Sequence, residues 1–182
     1  MHSHSYSDEG IILARKNYSE ADRILVVFSK NHGRISVLAK GVRKMGSRKR
    51  GHLEIFNHIK FQAVYGRGLD LITEAEIIEN FTEVRKSLKR ISLAYYFMEA
   101  VGRTTHDEEP HQELFDFILD YLNKLKTEIK LKDLRLTFIV KLLIILGFWP
   151  QGKTLINPEG KLEEVMERKL YSQRVGKKIA SC

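Results

Sequence analysis

The spacing of apolar residues changes once along this chain, near residue 80, and that change limits the possible folds more than any other feature. Before it, apolar residues recur with the period of a strand. Arg34-Ile-Ser-Val-Leu-Ala-Lys alternates polar and apolar side chains, as a half-buried strand does. Arg23-Ile-Leu-Val-Val-Phe-Ser is rich in β-branched residues and stops at Lys30-Asn-His-Gly, where Gly33 can take positive φ. Residues 10–16, 53–65 and 71–78 supply three more extended runs, separated by turn chemistry at 17–22 and 66–70. Five such runs before residue 80 predict a compact antiparallel barrel or sandwich.

After residue 80 the period becomes helical. Val84, Leu88, Ile91, Tyr95, Met98 and Val101 recur at three- and four-residue steps, and Leu114, Phe117, Ile118, Tyr121, Leu122 and Leu125 repeat the pattern after Pro110. Residues 131–146 form a third helix, apolar over most of its surface and so expected between the others, with Gly147 and Pro150 ending it. Residues 161–171 suit a further helical turn or two. Arg168, Lys169, Arg174, Lys177 and Lys178 crowd this end, however, and the stretch 161–182, with little apolar content, is expected to be loosely ordered. The expectation is an α+β protein: a five-stranded domain over residues 1–80, then an all-α domain over 81–182.

Composition narrows the partners. The 182 residues carry 31 Lys and Arg against 23 Asp and Glu, a formal charge of +8, which favours anionic partners such as nucleic acid. The one cysteine is Cys182, so no internal disulfide is expected and the chain reads as cytoplasmic. The start is polar and acidic, with nothing resembling a signal peptide. The longest apolar stretch, residues 142–149, falls far short of the roughly 20 residues of a membrane span, so no membrane partner is expected.

The basic residues are not spread evenly. Between Lys30 and Leu53 there are eight, Lys30, Arg34, Lys40, Arg43, Lys44, Arg48, Lys49 and Arg50, and no Asp or Glu. Glycines punctuate the same stretch. Flexible cations can neutralise successive phosphates, and exposed glycine N–H groups can donate to phosphate oxygens. Arg67, in the later Gly66-Arg-Gly turn, belongs with them. Single-strand binders also stack bases on rings. Tyr18 and Tyr65 are the candidate platforms; Phe28 and Phe61 read as core, and Phe56 fits either role.

Enzyme signals are poor, and neither catalytic residues nor a cofactor is expected. None of the seven histidines makes HExxH or another metal-ligand spacing, and His106-Asp-Glu-Glu-Pro-His111 reads as a solvated helix–helix turn, so no metal site is expected. Residues 147–154 match the phosphate-loop pattern GxxxxGKT literally. A phosphate loop follows a strand and opens a helix, however, and here a helical pattern precedes it and Asn157-Pro158 follows.

Residues 10–44 strongly resemble the bacterial recombination mediator family RecO. The family opens with a short strand, a Tyr-Ser/Gly-Glu-x-Asp turn, a strand ending in Gly, and a strand ending Ala-Lys-Gly-x-Arg. Tyr18, Glu20, Asp22, Gly33, Ala39, Lys40, Gly41 and Arg43 fall on those places. The likeness continues through Ser47-Arg-Lys-Arg-Gly-His-Leu-Glu and residues 69–76, and more weakly to Leu146-Gly-Phe-Trp-Pro. It implies an OB-fold followed by a helical domain, binding single- and double-stranded DNA and helping to anneal strands. It also implies RecR and the acidic C-terminal tail of single-stranded-DNA-binding protein as partners, with RecA loading downstream. Many members continue into a four-cysteine zinc module. This sequence has no CxxC and stops earlier, so the last helices are expected to be reduced.

The expected function is therefore a non-catalytic DNA-binding recombination mediator in DNA repair. An RNA-binding OB module associated with translation is the alternative, because basic loops serve RNA equally well.

Overall fold

The computed structural model of the protein describes residues 4–47 and 49–166. Its first strand, β1 (Ser5–Tyr18), is long enough to serve two partners. The first half of β1 runs antiparallel to β4 (His58–Val64), from Ser5 opposite Val64 to Ile11 opposite His58. The second half pairs with β2 (Asp22–Ser29), as far as Tyr18 opposite Asp22. A register shift between Ile12 and Ala14 marks the bend, the usual place for a bulge in a barrel strand.

Strand β3 (Gly33–Ala39) is antiparallel to β2, and β5 (Asp70–Glu79) is antiparallel to β4. The barrel closes where β3 meets β5, with Val37 beside Asp70 and Leu38 beside Leu71. That pair is parallel, so the expectation of a wholly antiparallel sheet is corrected. The closed order β1-β2-β3-β5-β4 is that of an OB-fold. Ile12, Leu25, Val27, Val37, Ile59, Phe61 and Ile72 fill the interior.

Between β3 and β4 the expected basic loop contains one helical turn, α1 (Lys49–His52). The strand expected over 53–65 begins only at His58. The chain turns at Phe56, whose φ is 58°, and Phe56 N–H donates to the Ile12 carbonyl at 2.8 Å instead of to a ladder partner. Phe56 is fully buried, which settles its role as core.

The helical part comprises α2 (Thr82–Arg85), α3 (Leu88–Thr104), α4 (Gln112–Thr127), α5 (Leu131–Ile145) and α6 (Pro158–Met166). The single helix expected over 84–101 is broken at 86–87. Ser87, a residue type favoured ahead of a helix, provides the first acceptor of α3 to Ile91 N–H at 2.9 Å. Four rings form the core here: Phe97 stacks on Phe138 at 3.8 Å, Phe138 on Phe117 at 5.0 Å, and Tyr121 meets Phe138 edge-on. Helix α5 ends as its sequence requires. Gly147 takes φ 77°, Phe148 N–H returns to the Leu143 carbonyl and Gly147 N–H to that of Ile144, a Schellman cap. No described helix is long and apolar enough to cross a membrane. Of the stretch 161–182 expected to be loosely ordered, residues 161–166 instead belong to α6, because Leu162 and Met166 are buried; the rest lies outside the described residues.

The chain separates into two compact units. One joins Met1–Asn80 with Thr105–Phe115; the other holds Phe81–Thr104 and the chain from Asp116 onward. The α3–α4 connection, from Thr105 to Phe115, thus belongs to the barrel unit.

Candidate nucleic-acid interface

Strand alternation decides which barrel residues face outward. Leu25, Val27, Val37 and Ala39 point into the core, so Ile24, Val26, Ser36 and Leu38 point out. The register then lines up Lys16, Ile24 and Leu38 across β1, β2 and β3, and beside them Ala14, Val26 and Ser36. Lys16, Ala14 and Ser36 are exposed, while Ile24, Val26 and Leu38 are half-buried. Tyr18, at the end of β1 on this same face, is 53 % exposed.

The turn over 40–47 continues from this surface. Gly41 N–H donates to Asp22 Oδ1 at 2.8 Å, Arg43 N–H to the Ala21 carbonyl at 2.9 Å, and Val42 is buried. The turn is thereby held beside the β1–β2 connection, with Lys40, Arg43 and Lys44 exposed. Arg43 Nη1 reaches only the Ser19 carbonyl, at 3.4 Å.

Carboxylates separate these cations from the others. Arg15 and Arg23 both bind Glu54, at 2.5 and 3.3 Å, on the inward side of β1 and β2. Lys30 lies 3.9 Å from Glu9, and Arg34 Nε is 2.7 Å from Asp107 Oδ1. Lys16, Lys40, Arg43 and Lys44 take no carboxylate partner among the described residues. Six strand steps, about 20 Å, separate Arg34 from Lys40. Arg34 and, beside it, Lys30 thus lie at the opposite end of the β2–β3 pair from Lys40, Arg43 and Lys44. Arg48, and the side chains of Lys49 and Arg50, lie outside the described residues.

The other end of β3 is built differently. Arg34 and Asp107 form a parallel β-bridge, and Glu108 N–H donates to the Arg34 carbonyl at 3.0 Å. Asp107, Glu108 and Glu109 are all exposed, so the connection lays an acidic strap over this end. Tyr65 and Arg67 are exposed in the β4–β5 turn, and Tyr65 leans on Tyr6, whose ring also meets His32 of the β2–β3 turn. Asp8, buried beneath, accepts from Ser29 Oγ, from Asn31 Nδ2 at 2.7 Å and N–H at 3.1 Å, and faces His32 Nδ1 at 2.8 Å.

Ser29, His32 and Asp8 do not make a catalytic relay. Ser29 Oγ and Asp8 both approach the same nitrogen, Nδ1, so the imidazole does not stand between hydroxyl and carboxylate. No group of described His, Cys, Asp or Glu residues is arranged to hold a metal ion. Residues 147–154 leave a helix and enter no helix until Pro158, unlike a phosphate loop.

Two family models match in tandem, Recombination protein O N terminal over residues 1–81 and Recombination protein O C terminal over 85–154. The chain belongs to the RecO family. Curated relatives named DNA repair protein RecO include that of Pelotomaculum thermopropionicum, 37 % identical over 86 % of this chain and 61 % of its own. That of Roseiflexus sp. is 33 % identical over 83 % of this chain and 53 % of its own. That of Dehalococcoides mccartyi is 29 % identical over 87 % and 63 %. The chain thus spans roughly three-fifths of the length of these RecO relatives. The N-terminal family model covers the whole described barrel strand set.

Reading the sequence alone passes over Lys16, which lies outside the basic cluster. Its signal is parity: it alternates with Ala14 and Tyr18 on one face of β1.

Proposed function

We propose that this RecO-family chain is a non-catalytic DNA-binding recombination mediator whose barrel grips the backbone of single-stranded DNA. The observation that carries the reading is the set Lys16, Lys40, Arg43 and Lys44, free of carboxylates among the described residues and continuous with the open β1–β2–β3 face. Cations already matched by Glu or Asp attract a polyanion weakly; unmatched ones displace condensed counterions. Arg48, Lys49 and Arg50 come a few residues later in sequence and are proposed as further phosphate contacts. Half-buried Ile24, Val26 and Leu38, with Tyr18, offer sugars and bases an apolar floor.

Family membership supports the finer reading: a cytoplasmic mediator that also binds double-stranded DNA, promotes annealing and RecA loading with RecR, and takes the acidic tail of single-stranded-DNA-binding protein.

The test is single-strand affinity measured against salt, for wild type and for the quadruple variant K16A/K40A/R43A/K44A. Each lost phosphate contact flattens the log–log salt slope by roughly 0.7, so four contacts remove about 3. An unchanged slope excludes this face. Competition by RNA of matched sequence, if stronger than DNA, favours the translation-associated alternative.

A further inference from the structure

The aromatic residues at the strap end of the barrel form a series that the cationic face does not use. Tyr65 is 58 % exposed, and its backbone N–H is held by the His4 carbonyl at 3.1 Å. Its ring lies 5.1 Å from that of Tyr6 at 37°, and Tyr6 lies 4.7 Å from His32 at 44°. Tyr6 rests edge-on against core Phe61 at 6.2 Å, so the series is seated on the barrel interior.

Both inner rings are tied by carboxylates. Tyr6 hydroxyl donates to Asp70 Oδ2 at 2.9 Å, and Asp70 Oδ1 accepts Gly66 N–H at 3.1 Å, fixing ring and turn together. Burial, reinforced by Asp70, pushes the Tyr6 hydroxyl far above the usual tyrosine range, so it remains a neutral donor. His32 is held by Asp8 through Nδ1. Rings ordered before binding lose little freedom on contact, which is the condition for stacking to show as affinity. Arg67, two residues beyond Tyr65, is exposed and has no ion-pair partner among the described residues.

We propose that Tyr65, backed by Tyr6 and His32, is a stacking platform for an unpaired nucleobase, with Arg67 taking the adjoining phosphate. This deepens the single-strand reading above and rests on it. A planar base is favoured over an apolar peptide because the outer ring presents an open face beside a guanidinium free of carboxylates.

The experiment compares wild type, Tyr65→Ala and Tyr65→Trp on a single-stranded oligonucleotide and on an abasic strand of equal length, across a salt series. The expected result is a loss on the order of tenfold for Tyr65→Ala on the base-bearing strand. Tyr65→Trp should restore it, the abasic strand should bind wild type and Tyr65→Ala equally, and the salt slope should not change. Equal affinity of wild type and Tyr65→Ala for the base-bearing strand overturns the platform, as does an equal loss on the abasic strand; either result leaves the cationic reading standing. If wild type binds neither strand, the single-strand reading and the platform fall together.

Discussion

Arg34 and Asp107, 73 positions apart in sequence, form an ion pair through Nε and Oδ1 at 2.7 Å and also lie side by side as a backbone bridge. The same contact removes one cation from the barrel's outer face and places three exposed acidic residues, Asp107, Glu108 and Glu109, at its edge. The β2–β3 surface is thus open and basic at the Lys40 end and acidic at the Arg34 end. Along the outer face of β2 and β3, the Lys40 end is the one that favours a polyanion.

Asp107→Asn should therefore strengthen single-strand binding, by roughly two- to fivefold at low salt, because it removes a repulsive charge from the edge of this surface. The gain should fade at high salt. Asp107 is 68 % exposed, so the stability change should stay below about 1 kcal/mol. Titration at two ionic strengths with a parallel thermal melt checks both.

Two glycines with similar backbone angles should respond differently to alanine. Gly33, at φ 70°, would place a Cβ 2.2 Å from the Glu109 carbonyl oxygen, whereas Gly147, at φ 77°, has open space around it. Gly147→Ala carries left-handed strain alone, about 1 kcal/mol, while Gly33→Ala adds a backbone clash and should cost at least ~2 kcal/mol. Denaturant midpoints separate the two. Equal effects would mean that the strap does not press on Gly33.

Acid should weaken the barrel in two stages. Burial is the largest influence on His58 and holds its pKa below the ordinary 6.5, with Lys30 acting in the same direction and Glu9 opposing. The unfolded chain therefore takes up this proton first, and stability falls as pH drops through about 6.5. His58→Gln should flatten that stage in a stability–pH profile. For Asp8, burial alone raises the pKa, but hydrogen bonds from Ser29, His32, Asn31 and Glu9 outweigh it and leave the carboxyl below its usual 3.8. Its contribution is present above that value and is lost as pH falls further. Asp8→Asn should remove about 2–3 kcal/mol at neutral pH, the scale of a hydrogen bond to a charged group.

The helical unit depends on its rings. Phe138 is fully buried and stacked between Phe97 and Phe117. Phe138→Ala should cost about 3–5 kcal/mol through lost contact and the remaining cavity. Circular dichroism at 222 nm during melting would report an early helical transition.

The order of elements was legible in the sequence because it depends on local periodicity. Alternation over 34–40, the β-branched run of β2, the helical spacing after residue 80 and the stop at Gly147 each reflect a few neighbouring residues. The tertiary structure decided what depends on distant partners. Polar Ser5-Tyr-Ser-Asp-Glu becomes strand because β4 pairs with it, and β3 closes on β5 in parallel through residues more than 30 positions away. The charge cluster gave the same weight to Arg34 and Lys40. Folding separates them, since a cation's availability depends on which carboxylate arrives beside it, and Asp107 comes from the far side of a helix.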